Sequence, residues 1–84
     1  MSDENTVYVG DKELINYINA VLTQFRDYDE VLVKARGRKN IGTAVDVAEI
    51  SKHNHGAEIA DIKTNTLSHE DRKVSEIEIK LLKE

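Results

Sequence analysis

A run of basic side chains, "VKARGRKN" at residues 33–40, is the part of the sequence best suited to chemistry. Four cations lie within six positions with no acid among them: Lys34, Arg36, Arg38 and Lys39. The chain as a whole has 16 Asp+Glu against 12 Lys+Arg, so this concentration is unusual for it. Guanidinium and ammonium groups are the donors that proteins use to bind phosphate. A charge run can also be only a solvated face, and the surrounding elements have to decide between the two.

The basic run follows a predicted strand. "TVYVG" at 6–10 predicts a first strand closed by glycine, and the apolar spacing over 11–27 predicts an amphipathic helix with Asp11 as its N-cap. "EVLVKAR" at 30–36 then alternates as a second strand. Its two faces are Val31, Val33 and Ala35 on one side and Leu32, Lys34 and Arg36 on the other.

A second helix is predicted after Gly37, with Asn40 as its cap and an end by Gly56. Its apolar stripe consists of Ile41, Ala44, Val45 and Ala48. Val47 and Ile50 lie off that stripe and give the helix a second apolar edge. We therefore predict that Val47 and Ile50 contact a second subunit.

The last third of the chain predicts two strands joined as a hairpin. Each strand contains a change of phase in its alternation, which predicts a β-bulge in each. The polar stretch "TLSHEDRK" at 66–73 predicts a projecting tip with a turn longer than two residues. The fold class is α+β: a β-α-β-α-β-β two-layer sandwich, with one mixed sheet and, through right-handed crossovers, both helices on one face.

In this fold the basic run becomes a loop at a helix N-terminus. Free backbone N–H groups and the helix dipole favour an anion there, and Gly37 lets the backbone approach closely. Arg36, Arg38 and Lys39 add donors suited to phosphate. The sequence therefore predicts a phosphate-binding loop.

Length and composition limit the other possibilities. At 84 residues we expect one domain, 1–84, with a loose end at 1–5. The chain has no cysteine, and its apolar runs are too short to span a bilayer, so we expect a soluble intracellular protein without a membrane partner. We also predict no metal, no cofactor and no small-molecule substrate.

Rival functions find little support in the sequence. "HNH" at 53–55 lies at a helix end without the distant ligands of the nuclease motif, and no nucleotide-binding or nucleophile signature occurs, so we predict no enzyme. The acidic first third would suit a protein-interaction module but does not explain the basic loop. Base stacking is not expected to dominate, since only Tyr17 is a candidate for an exposed ring, with a place at the edge of the core as its alternative.

The sequence resembles the Alba family of small archaeal chromatin proteins. Three blocks carry the resemblance: "VYVGDKELINYINAVL", "VLVKARGRKNIGTAVDVAEI" and "RKVSEIEIKLL". The middle block is the specific one, because it joins a strand ending in K-A-R-G-R to a helix with A-V-D-x-x-E-I. The resemblance implies a homodimer, built largely from the second helix and last strands, that binds double-stranded DNA and in several members RNA.

The resemblance also implies which residues bind nucleic acid. Beside Arg36, Gly37 and Arg38 these are Lys12 before the first helix, Asn16 and Tyr17 in it, Lys34 in the second strand, and Arg72 and Lys73 near the base of the hairpin. Lys39 is added to the predicted site by the charge run itself. Where the family usually has a lysine pair, this chain reads Asp11-Lys12, which predicts weaker binding.

The resulting prediction is a cytoplasmic, chromosome-associated or nucleoid-associated protein that grips phosphates rather than reading bases. The alternatives are an RNA-binding component of a ribonucleoprotein, or an interaction module with weak DNA affinity.

Overall fold

Four strands and two helices alternate in the predicted order in the computed structural model, which describes residues 5–84 apart from the side chain of His69. The elements are β1 Thr6–Val9, α1 Leu14–Gln24, β2 Glu30–Arg36, α2 Arg38–His55, β3 Glu58–His69 and β4 Arg72–Leu82. The predicted fold class is confirmed. The predicted loose end at 1–5 lies outside the described residues except for Asn5, whose side-chain amide donates to the Glu30 carbonyl at 3.1 Å.

The sheet has the strand order β1-β2-β4-β3. β1 runs parallel to β2, whereas β4 is antiparallel to both of its neighbours. One face carries both helices and the core, whose fully enclosed side chains include Val21, Val31, Val33, Ile79 and Leu81. As the alternation in β2 predicts, Val31, Val33 and Ala35 face the core, and the other face of the sheet is open.

Both predicted helix caps are wrong. α1 begins at Leu14 with Glu13 at the N-cap position and no side-chain cap bond, so Asp11 lies outside the helix. α2 begins at Arg38, directly after Gly37, which places Asn40 inside the first turn. α2 begins earlier than predicted because Gly37, with a φ of 86° and a ψ of 151°, turns the chain from strand to helix within one residue. The predicted end of α2 is confirmed, since Gly56 closes it in the left-handed conformation.

The buried face of α2 differs from the predicted stripe. Ala44, Val47, Ala48 and Ser51 face the core at helical spacing, whereas Val45 is 41% exposed. Val47 is fully buried within the subunit, so its prediction as a contact for a second subunit is wrong. The small residues Ala44, Ala48 and Ser51 on the same face let α2 lie close to the sheet, and Val47 is enclosed between them. Ile50 is only half-buried, against the edge of the core.

The hairpin is longer and tighter than predicted. Pairing continues to His69 and Arg72, so only Glu70 and Asp71 form the turn. The predicted bulge in β3 is confirmed by a register shift between Ile59 and Asp61. The second predicted bulge is wrong, because β4 pairs without interruption. The break in the apolar alternation of β4 occurs at Val74, which lies beyond the last residue of β4 that pairs with β2.

Candidate nucleic-acid interface

Three separate segments meet at one end of the sheet. Because β1 and β2 are parallel, the segments at their C-terminal ends lie at the same end of the sheet. These are the loop 10–13 and the strand-to-helix turn at Gly37 with its flanking residues 36–39, which we call the basic loop. The hairpin projects from that end too, since Arg36 pairs with Glu76 and residues 72–75 of β4 continue past it. The fold thus brings Lys12, the basic loop and the hairpin cations Arg72 and Lys73 to the same end of the sheet.

The basic loop has a backbone that only glycine readily adopts. A Cβ at Gly37 would meet nothing within 4 Å, so the requirement for glycine comes from its dihedral angles rather than from space. The Gly37 N–H donates to the Ser75 carbonyl at 2.9 Å, which ties the loop to the base of the hairpin. Arg38 and Lys39 are exposed in the first turn of α2, which contains no acid. This start of the helix can accept an anion.

Two of the predicted cations are paired with carboxylates on the open face. The Arg36 Nε donates to Glu76 Oε2 at 3.0 Å, and the Lys34 Nζ lies 3.4 Å from Glu78 Oε1. The Arg36 side chain is 70% exposed, so its other guanidinium donors remain within reach of a ligand. Sequence reasoning did not identify Glu76 and Glu78 as neighbours of these cations, because their closeness depends on strand register.

The loop 10–13 is held by the hydroxyl of Tyr17. This oxygen accepts hydrogen bonds from the backbone N–H groups of Gly10 and Lys12, at 2.8 Å each. Tyr17 is only 6% exposed, so the prediction that its ring could offer an exposed stacking surface is wrong and the alternative, a tyrosine at the edge of the core, is confirmed. Asp11, Lys12 and Asn16 are exposed.

The hairpin cations lie at the tip rather than near the base. Arg72 pairs with His69 across the turn, and both Arg72 and Lys73 are exposed. Glu70, with a φ of 55°, and Asp71 form the turn itself. The tip therefore presents two cations beside two anions, and its net charge is close to zero.

A further exposed residue borders the basic loop. Tyr8 alternates outward between the buried Val7 and Val9, and the residue is 56% exposed on the open face. The alternation within "TVYV" was the signal that could have identified it from sequence. Across residues 5–84, by contrast, no cluster of three or more His, Cys, Asp or Glu is arranged to hold a metal ion.

Comparison with known proteins identifies the family to which this chain is related. The family model Alba matches residues 5–69, a span that includes the loop 10–13, the basic loop and β3.

The chain belongs to the Alba family.

Its Alba relatives match over nearly their whole lengths. The DNA/RNA-binding protein Alba of Thermoplasma acidophilum is 46% identical, with 96% of this chain and 98% of the relative covered. The DNA/RNA-binding protein Alba 1 of Archaeoglobus fulgidus is also 46% identical, with coverages of 95% and 97%.

Solved Alba structures share the fold. Alba from Thermoplasma volcanium superposes with a TM-score of 0.82 at 41% identity, covering 94% of this chain and 100% of the other. ALBA1 from Trypanosoma brucei gives the same TM-score at 27% identity, covering 95% and 69%. In this chain, neither helix within residues 5–84 combines the length and the apolar composition needed to cross a membrane.

Proposed function

We propose that this protein is a non-enzymatic nucleic-acid-binding protein that grips the phosphate backbone of double-stranded DNA, and also RNA, as a single-domain homodimer. The observation that carries the proposal is the acid-free basic loop, which lies at a helix start and at the same end of the sheet as the loop 10–13 and the hairpin tip. Relatives covered over nearly their whole lengths are named as DNA/RNA-binding proteins. The protein acts in the cytoplasm, on the chromosome.

The proposed contacts are graded by their geometry. Arg38 and Lys39 meet phosphate directly at the start of α2, and Arg36 does so through the donors that Glu76 leaves open. Two further segments extend the contact with the nucleic-acid backbone beyond the basic loop. They are the region of the loop 10–13, with Lys12 and Asn16, and the hairpin tip, with Arg72 and Lys73. Tyr17 contributes by holding the loop 10–13, and Lys34 contributes charge from beside its partner Glu78.

The test is a titration of equal-length duplex DNA, duplex RNA and single strands of each at two salt concentrations. We expect duplex affinity to fall steeply with salt and to depend little on sequence, because phosphate contacts release counterions and carry no sequence information. Absence of binding to all four ligands at low salt would overturn the proposal.

The homodimer is supported by apolar side chains left uncovered on one subunit. Ile62 of β3 is 53% exposed and Val45 of α2 is 41% exposed, and Ile50 is half-buried. We expect light scattering at micromolar concentration to give twice the mass of the chain, and Ile62→Glu to shift it toward the monomer because a carboxylate would have to be desolvated. A wild-type mass that stays monomeric as concentration rises would contradict the dimer.

Removal of the Glu76 carboxylate should tighten binding. In Glu76→Gln, Arg36 keeps a neighbour of the same shape but loses the anion that competes with phosphate. Exposed ion pairs are worth up to about 1 kcal/mol, so we expect roughly a two- to fivefold gain in duplex affinity with little change in stability. The measurement is a fluorescence-anisotropy titration with a labelled duplex.

The matched control for Glu76→Gln is Glu30→Gln. Glu30 also lies in a cross-strand ion pair on the open face, 3.8 Å from Lys80, but at the opposite end of β2. The two variants therefore change the net charge equally, and the two sites are about 20 Å apart. An equal gain in both variants would mean that only the overall charge matters and that Glu76 has no local role.

Replacement of Asp11 by lysine should also tighten binding, and without loss of stability. Because Asp11 is exposed and does not cap α1, we expect the free energy of unfolding to change by less than about 0.5 kcal/mol. The salt dependence should steepen by up to about one contact per subunit. Asp27→Lys, with the same charge change at the opposite end of the sheet, is the control. Equal effects in both variants would exclude contact between the loop 10–13 and the duplex.

A further inference from the structure

Tyr8 combines a large apolar ring with an exposed position on the sheet. The other aromatic side chains of the chain are more enclosed: Tyr17 and Phe25 are buried and Tyr28 is half-buried. A single exposed apolar residue is ordinary on a protein surface, so exposure alone says little. The surroundings of Tyr8 are what distinguish it.

The ring lines a cleft of about 300 Å³ at the end of the sheet that carries the basic loop. Lys34 and Arg36 border this cleft on β2, Asn40 borders it from the first turn of α2, and Glu76 borders it from β4. Strand register explains the arrangement, since Tyr8 pairs directly with Lys34 and Arg36 follows two residues later on the same face. An aromatic face, two cations and a polar edge therefore share one small space.

This combination matches the chemistry of one nucleotide. A base has an apolar π-face that stacks on an aromatic ring whatever its sequence, and its edge carries donors and acceptors. Asn40 offers both an amide donor and an amide acceptor, and Glu76 offers an acceptor. The phosphate attached to such a base would lie toward Arg36. The cleft is at the lower end of the volume range of small-ligand sites, so it suits one nucleotide unit rather than a folded partner.

We propose that the Tyr8 cleft binds one unpaired base of a single-stranded segment while the basic loop holds the adjoining phosphate. This site rests on the proposed function, because the basic loop must first bind the backbone. Duplexes do not use it, since their bases remain stacked within the helix. The protein therefore has a contact that favours single-stranded regions in addition to its phosphate grip.

The test compares single strands with and without bases. Wild type, Tyr8→Leu and Tyr8→Phe are titrated with an oligonucleotide, with an abasic strand of equal length, and with a duplex. Leucine keeps an apolar residue on the strand, whereas phenylalanine keeps the stacking ring. Removal of one base–aromatic stacking interaction lowers affinity roughly 5- to 150-fold. We expect such a decrease for Tyr8→Leu on the base-bearing strand alone, and near wild-type affinity for Tyr8→Phe.

The outcomes separate this inference from the function on which it rests. If wild type prefers the base-bearing strand to the abasic strand and Tyr8→Leu removes that preference, the site is established. If Tyr8→Leu keeps the wild-type ratio, or weakens the duplex and both strands equally, the site is refuted while phosphate binding stands. If wild type binds none of the three ligands, the proposed function itself fails.

A spectroscopic arm checks the contact directly. The chain contains no tryptophan, so Tyr8→Trp introduces a single reporter in the cleft. We expect its fluorescence to be quenched by the base-bearing strand and to change little with the abasic strand. Parallel arms with RNA and DNA strands show which sugar the site prefers. Equal quenching by the base-bearing and abasic strands would refute stacking.

Discussion

Reversal of charge at Arg36 and Arg38 together should reduce duplex affinity by about 100-fold or more. Hydrogen bonds to charged groups contribute roughly 1.5–3 kcal/mol each, and the double variant Arg36→Glu/Arg38→Glu removes two per subunit and adds repulsion. The slope of log affinity against log salt should fall by roughly 0.9 for each phosphate that the variant no longer neutralises. All duplex sequences should weaken alike, which anisotropy titrations over several salt concentrations would measure.

The charge-matched control is Arg26→Glu/Lys83→Glu. Both residues are exposed, and both lie at the opposite end of the sheet, where the backbone N–H of Lys83 donates to the Asp29 carbonyl. The two double variants have the same net charge, so the difference between them isolates the basic loop. If both bind equally while circular dichroism shows intact folds, the basic run is only a solvated face.

Removal of the Tyr17 hydroxyl should destabilise the protein by about 2 kcal/mol. Tyr17→Phe leaves the N–H groups of Gly10 and Lys12 without their acceptor, and an unsatisfied buried group costs about 1–3 kcal/mol. The two groups are only partly buried, so the lower part of that range applies to each. For a chain of this size the melting temperature should fall by roughly 10 °C. Calorimetry or a thermal melt followed by circular dichroism measures the change.

Tyr8→Phe is the control for this variant. It also removes one phenolic hydroxyl, but from a ring that is more than half exposed, and we expect it to change stability by less than about 0.5 kcal/mol. A Tyr17→Phe protein that melts as the control does would show that water replaces the tyrosine oxygen. The loop 10–13 would then owe its shape to other contacts.

Local patterns predicted the parts of the fold that depend on neighbours in sequence. The alternation of β2, the end of α2 at Gly56 and the bulge near Ile59 all follow from side-chain periodicity or from glycine conformation. The position of Val47 was mispredicted because the rotation of α2 about its axis is fixed by its packing on the sheet. The helical stripe alone is compatible with more than one such rotation.

The candidate site was predicted in part for the same reason. The basic loop is contiguous, so its charge is visible in the sequence. The pairs Arg36–Glu76 and Lys34–Glu78 join residues that are far apart in the chain, and they form only when β2 and β4 adopt one register. Likewise the hydroxyl of Tyr17 could not be assigned to Gly10 and Lys12 before the turn between them was known.

The hydrogen bond from the Gly37 N–H to the Ser75 carbonyl attaches the base of the hairpin to the basic loop. Beyond Ser75, β4 has only β3 beside it, and a two-stranded ribbon twists and bends more easily than a sheet. The distal part of the hairpin therefore has fewer strand contacts to hold it than the basic loop, which is tied to β4 through Gly37. B-form DNA and A-form RNA differ in the width and depth of their grooves, and a hairpin that bends relative to the basic loop can adapt to either duplex without any rearrangement of the core.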